Sequence, residues 1–303
     1  MRSLFTDLAM EAYGALAQAE RGGIETEESE SGGASITKVR ILSDEAAKKM
    51  KRGKGVYITI AQPELPRMEA EERKALSKQL AKCLSELLPK AGCVLTVGLG
   101  NRRMTADALG SRVCEKLLVT RHLAGMNLTK APLREVCSIT PGVLGQTGLE
   151  SAEMIAALVK RFSPSCVIAV DALAAQSPER ICTTVQIANS GISPGSGVGN
   201  HRTGLTEEAL GVPVIAIGVP MVVYSSAIAR TALTGLLGGE DGEYKREIDE
   251  LCRQAAQAQA GEMVVTPREV DAFVESVSDT LAWGINMALQ PDISGEEIAL
   301  LMQ

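Results

Sequence analysis

Aromatic residues make up only 3% of this 303-residue chain: three Phe, four Tyr and one Trp. Surfaces that stack nucleic-acid bases need aromatic side chains and a basic face. The formal net charge is −6 and the pI about 5.3, so direct nucleic-acid binding is not expected. Histidine is almost absent, with His122 and His201 alone. The seven cysteines (Cys83, Cys93, Cys114, Cys137, Cys166, Cys182 and Cys252) contain no C-x-x-C pair. A zinc site of closely spaced Cys and His therefore has no basis, and neither a metal nor a cofactor is expected. The thiols read as small reduced core hydrophobes. No stretch reaches the roughly 18 uncharged apolar residues that would span a bilayer. The start, MRSLFTDLAMEA, lacks the apolar core of a secretory signal. A cytoplasmic protein that avoids membranes is the expectation.

What is present is a glycine-rich, 45% apolar chain with a mean hydropathy of +0.08, suited to a compact α/β enzyme. A short helical start is expected over about residues 7–19. Residues 20–35, ERGGIETEESESGGAS, read as an acidic exposed loop. Apolar runs predict strands at 53–63, 92–100, 134–140, 164–172, 183–189 and 213–219. Amphipathic spacing predicts helices at 68–90 and 150–162, and a helix or helical turn at 105–118. Strands alternating with helices imply a mostly parallel sheet with helices on both faces, three layers in all. Runs such as VIAV and VIAIGV, without polar alternation, imply burial on both sides. Thr266-Pro267-Arg268-Glu269 has the capping-box pattern and opens a predicted helix to about Leu289, in a helical C-terminal region. No linker divides the chain, so one domain is expected.

Two of the nine aspartates follow apolar strand runs: Asp107 in GLGNRRMTADALG and Asp171 in CVIAVDALAA. The carboxyl ends of strands are where open α/β sheets hold ligands. Two carboxylates brought together do not both ionise cheaply, so one keeps a proton. Such a pair serves as general base and general acid. The bland alternative carries equal weight at this point: Asp107 a helix cap, Asp171 a hydrogen bond to the next loop. The glycine-rich run from Ser190 to Gly204 lacks the G-x-G-x-x-G spacing of a dinucleotide loop. It suits a tight turn or one wall of a substrate cleft. Neither histidine stands in a G-x-S-x-G setting, which weakens a nucleophile triad.

Six strings in fixed order carry a resemblance: TDLAMEA (6–12), VGLGNRRMTADALG (97–110), ITPGVLGQTGLE (139–150), VIAVDALAA (167–175), TTVQIANSGISPGSGVGN (183–200) and LGVPVIAIGVPMVV (210–223). The chain resembles the germination proteases, or spore proteases, of endospore-forming bacteria. The resemblance implies an atypical aspartic endopeptidase that degrades small acid-soluble spore proteins during germination. It implies a fold similar to the hydrogenase-maturation peptidases, a homotetramer, and a place in the forespore or spore core. Asp107 and Asp171 match the family's two catalytic aspartates. Members are zymogens that remove their own propeptide, and Thr6-Asp7-Leu8-Ala9 looks like a copy of the substrate cleavage motif. Autocleavage is thus expected between Asp7 and Leu8, with residues 1–7 as propeptide and 8–303 as the peptidase domain.

Asn101, Gly195, Ser196, Gly197, Gly199 and Asn200 are expected to position substrate. The sequence departs from the family pattern at Ala106, where proline is usual, at Asn189-Ser190, where Asp-Thr is common, and at Tyr224, where aspartate is usual. Two rival readings stand beside the first. One is a metal-dependent peptidase with Asp107, Asp171 and His201 as ligands. The other is a non-catalytic sporulation protein that keeps the fold.

Overall fold

A computed structural model describes residues 6–126, 128–193, 203–237, 244, 247–248, 250–252, 254 and 263–302. Among these residues nine strands form one sheet: β1 (Ile24–Ser31), β2 (Ala34–Ile41), β3 (Gly55–Ala61), β4 (Val94–Gly98), β5 (Val136–Ile139), β6 (Cys166–Ala175), β7 (Thr184–Ala188), β8 (Val214–Tyr224) and β9 (Val264–Val265). Their order is β1-β2-β3-β7-β8-β6-β4-β5, with β9 paired to β8. The expected parallel sheet is the half β5-β4-β6-β8, where every pairing is parallel. The half β1-β2-β3-β7 is antiparallel and joins β8 antiparallel. An apolar run announces a buried strand but not its direction, which is why this half was not legible as antiparallel.

Helices cover both faces, as three layers require. On one face α3 (Ala70–Ser85), α4 (Leu109–Cys114) and the long helix Val270–Leu289 bury Leu80, Leu84, Val113, Val277, Leu281 and Ile285 against Ile58, Ile168, Val170 and Ile217. On the other, α6 (Ser151–Phe162) sets Ile155 and Val159 against Leu95, Val97, Val167 and Ala169. Farther along that side, α1 (Ala9–Gly14) and α2 (Asp44–Met50) pack on Val39, Ile41 and Tyr57. Fully buried side chains such as Leu80, Ile155 and Ile168 each contribute roughly 1.5–3 kcal/mol by leaving water.

Two sequence expectations are corrected. Residues 20–35 are not a loop: most of them form the β1–β2 hairpin, in register from Ile24↔Ile41 to Ser31↔Ala34. Gly32 and Gly33 at its tip both have positive φ (59° and 78°), as a two-residue hairpin turn requires. β1, IETEESES, is exposed from its second residue onward. Its strand character comes from pairing with β2, whose Ile36, Val39 and Ile41 are buried. Its run of acidic side chains also protects the sheet's outer edge from further pairing. The second correction concerns Thr266, which caps nothing. Its hydroxyl donates to Met221 O (2.8 Å), and the following helix begins at Val270 without a side-chain cap.

Cys83, Cys93, Cys114, Cys137, Cys166 and Cys182 are free thiols, and five of the seven cysteines are buried. Burial pushes the Cys114 thiol up to about 11 and that of Cys182 up to about 12.

Candidate active site

The sheet brings the two aspartates to one place by an uneven ending of strands. β4 stops at Gly98, opposite Val170 of β6, and Leu99 N–H still donates to Val170 O (2.8 Å). β6 runs on to Ala175. Asp171 is therefore not at the end of its strand, as the sequence suggested. It lies inside β6, at the first position beyond its neighbour's last rung, and is buried.

After β4 the chain loops out and returns as a single 3-10 turn, Thr105–Asp107, followed by α4. Two glycines let this return press on the strand ends. A Cβ on Gly110 would collide with Val170 O and with Leu99 N and O. Gly100, at φ +95°, lies directly under the Asp107 carbonyl. The Asn101 N–H donates to Asp107 Oδ2 (2.7 Å). The Asn101 side chain is taken up locally, its Oδ1 accepting from Arg103 N (3.0 Å) and Gln146 Nε2 (2.6 Å). Asp171 Oδ1 accepts from Ala172 N (2.9 Å).

Asp107, Asp171 and Asn101 line one open cavity of about 600 Å³, together with Lys51, Arg52, Tyr57, Gln186 and Asp7. Ala188, Ala216 and Gly218 of the sheet face line it, with the Leu173 side chain lying over Gly218. Lys51 and Arg52, just past α2, bring positive charge to the wall; Lys51 takes a left-handed conformation there. The Tyr57 hydroxyl donates to Gly53 O (2.8 Å), and burial pushes its acidity down, raising the pKa. Gly195, Ser196, Gly197, Gly199, Asn200 and His201 lie outside the described residues.

The N-terminal segment enters this cavity as an extended peptide. Asp7 N–H donates to Ala174 O, and Asp7 Oδ2 accepts from Ala174 N, both at 2.8 Å. Gln186 Nε2 donates to Asp7 O (2.9 Å), while Gln186 Oε1 accepts from Ala9 N (2.6 Å). Arg52 donates to Thr6 O. Leu8 is fully buried against Leu173 and Ala175, with Met10 and Ile192 beside them. Downstream, the Glu11 carboxylate accepts from Gln176 N and Ser177 N (2.9 Å each) and pairs with Arg180 (3.5 Å). Thr6 Oγ1 also donates to Glu11. Asp7 thus lines the cavity that both strand aspartates line, and Leu8 is buried next to it.

Sequence reasoning missed Gln186, Glu11, Lys51 and Arg52. Gln186 left one signal, a lone amide in the otherwise apolar centre of TVQIA.

The germination protease family model matches residues 6–261. A germination protease of Clostridium tetani is 39% identical, with 98% of each chain covered. One of Clostridium perfringens is 42% identical over 87% of this chain and 86% of its own. One of Priestia megaterium is 33% identical over 97% and 95%. Among solved structures, a [NiFe] hydrogenase maturation protease of Thermococcus kodakarensis shares 21% identity at a TM-score of 0.30, covering 58% of this chain and 97% of that one. That likeness is too distant to support a mechanistic comparison.

Proposed function

The chain belongs to the germination protease family and is a protease; from that premise we propose that it is an endopeptidase in which Asp107 and Asp171 act on a water molecule. It is made as a precursor that cuts its own Asp7–Leu8 bond. The observation that carries this reading is the N-terminal segment itself, seated with Asp7 in the cavity that both aspartates line.

In the reaction, one ionised carboxylate takes a proton from water as the oxygen attacks the Asp7 carbonyl carbon. The C=O π pair moves onto the Asp7 oxygen. The protonated partner then gives its proton to the Leu8 nitrogen as the C–N bond breaks. The products are a carboxylic acid at Asp7 and a free amine at Leu8. General acid–base transfer of this kind is worth about 10²–10⁴ in rate. Holding the bond fixed against the catalytic groups supplies further acceleration as effective concentration.

The substrates assigned by resemblance are small acid-soluble spore proteins, cut after an acidic residue. Lys51 and Arg52 on the cavity wall suit such a residue by charge. A homotetramer and a spore-core location are likewise proposed from the resemblance. The metal reading finds less support. Among the described residues no three His, Cys, Asp or Glu side chains gather as metal ligands do, and its third ligand, His201, lies outside them.

The test is the intact mass of the purified full-length chain over time. Loss of residues 1–7 is expected in the wild type and in neither Asp107→Asn nor Asp171→Asn. Normal trimming by either variant refutes the assignment, and a wild type that never shortens revives the non-catalytic reading.

A further inference from the structure

Gln186 bridges both sides of the proposed scissile bond. Its Nε2 donates to the Asp7 carbonyl oxygen (2.9 Å), and its Oε1 accepts from Ala9 N–H (2.6 Å). Those two partners also decide which way the amide faces. The flipped orientation would set oxygen against oxygen and N–H against N–H.

The sheet explains why this residue stands opposite Asp171. Asp171 pairs with Gly218 on β8, and Gly218 pairs with Gln186 on β7. The three form one rung, with their side-chain directions on one face. Two strand spacings of about 4.8 Å put the outer α-carbons roughly 10 Å apart. Gly218 contributes no side chain of its own, and the Leu173 side chain, two residues past Asp171, lies over it. Asp7, which Gln186 holds, and Asp171 line the same cavity.

We infer that Gln186 is a catalytic residue, the donor that holds the scissile carbonyl oxygen while negative charge builds on it. The inference rests on the two-aspartate reading above, because it assigns to Gln186 the oxygen that receives the π pair when water attacks. The donor is fixed before reaction: the residue is buried, and the oxygen of the same amide is anchored on Ala9 N–H. A preset donor needs no reorganisation as charge develops. The same contact serves a substrate in trans, since any peptide lying in this register offers a carbonyl before the cut bond and an N–H two residues after it.

The experiment uses the full chain. Self-cleavage of Gln186→Met and Gln186→Glu is followed by intact mass, and the processed forms are then assayed on a synthetic peptide copying residues 3–12. Methionine keeps the volume and removes the donor. Its self-cleavage is expected to fall about 100- to 1,000-fold, the usual effect of losing one oxyanion donor. The loss on the peptide is expected in kcat, with KM changed little. For Gln186→Glu, the rate relative to wild type is expected to climb as pH falls and the new carboxyl gains a proton to donate. A Gln186→Met enzyme with unchanged kcat and raised KM would overturn the inference and leave Gln186 a tether. Wild-type rates in Gln186→Met would overturn it as well. Wild-type trimming by Asp171→Asn would instead refute the underlying two-aspartate reading, so the two failures are distinguishable.

Discussion

Gly110→Ala tests whether the site depends on how closely the returning loop presses on the strand ends. The added Cβ would sit within 2.5 Å of both Leu99 N and Leu99 O, and closer still to Val170 O. Ordinary contact begins at 3.4 Å, so α4 must withdraw by about 1 Å. All three obstacles are backbone atoms, of β6 or of the residue just past β4, so none can rotate away. Overpacking of this kind costs about 1–3 kcal/mol, and rigid neighbours favour the upper end. Alanine returns about 1 kcal/mol as the better helix former. The net cost of about 2 kcal/mol corresponds to a fall in Tm of about 4–8 °C. The larger consequence falls on catalysis. Asp107 lies three residues before Gly110, on the segment that must move, and a 1 Å misplacement of a reacting group costs about 100-fold. The assay compares melting and self-cleavage rate with those of Gly295→Ala, whose Cβ meets nothing within 4 Å. Gly295→Ala is expected to match the wild type. Wild-type cleavage by Gly110→Ala, or a Tm as high as the control's, would show that the close approach does not position Asp107.

Leu8→Ala should loosen the docked segment, since a fully buried leucine cut to alanine loses about 2–5 kcal/mol; self-cleavage is expected to slow at least 10-fold, read by intact mass. Glu11→Gln turns one acceptor toward the Gln176 and Ser177 N–H groups into a donor. At about 1–3 kcal/mol for an unmet buried group, amide exchange in residues 8–14 should quicken about 10- to 100-fold, and unchanged exchange would refute the clamp. Burial raises the Tyr57 pKa above its ordinary value of 10.0. The unfolded chain then ionises first, so this residue's stabilising effect is whole below about pH 10 and declines as pH rises toward the folded pKa. Tyr57→Phe should therefore lose less stability than wild type as pH rises above the ordinary tyrosine pKa of 10.0, measured by urea midpoints.

Asp171 was legible because it sits in an apolar string and Asp107 because it follows one; buried strands write such strings plainly. Leu8 and Asp7 were legible only through the resemblance, for nothing in TDLAMEA by itself announces a docked peptide. Gln186 was hidden for a different reason: its two contacts reach back 177 and 179 residues. Local pattern carries no record of such pairs. The hairpin at 24–41 was misread because β1 buries almost nothing, so the period-2 alternation that marks a half-buried strand is absent. Asp171 was placed at a strand end because the sequence shows where an apolar run stops, not where the neighbouring strand does. Its setting comes from β4 ending early at Gly98, a property of two strands together.

Cleavage between Asp7 and Leu8 changes the charge of a group that is buried beside the cavity. Before the cut, Leu8 N is a neutral amide donating to Thr6 Oγ1 (3.0 Å). Afterwards it is an amine with an ordinary pKa near 8, largely protonated at neutral pH, and its Thr6 partner belongs to the released peptide. Leu8 is fully buried. An ion held there costs several kcal/mol in lost hydration. That exceeds the roughly 1.5–3 kcal/mol gained by keeping the leucine side chain out of water. The reaction therefore loosens its own product end, and the pocket Leu8 occupied becomes open to the next substrate's leucine. Hydrogen exchange in residues 8–14 should be fast in the processed wild type and slow in Asp171→Asn, which keeps the segment intact. Equal protection in the two would mean that acidic groups of the cavity pair with the new ammonium, and that self-cleavage alone does not clear the site.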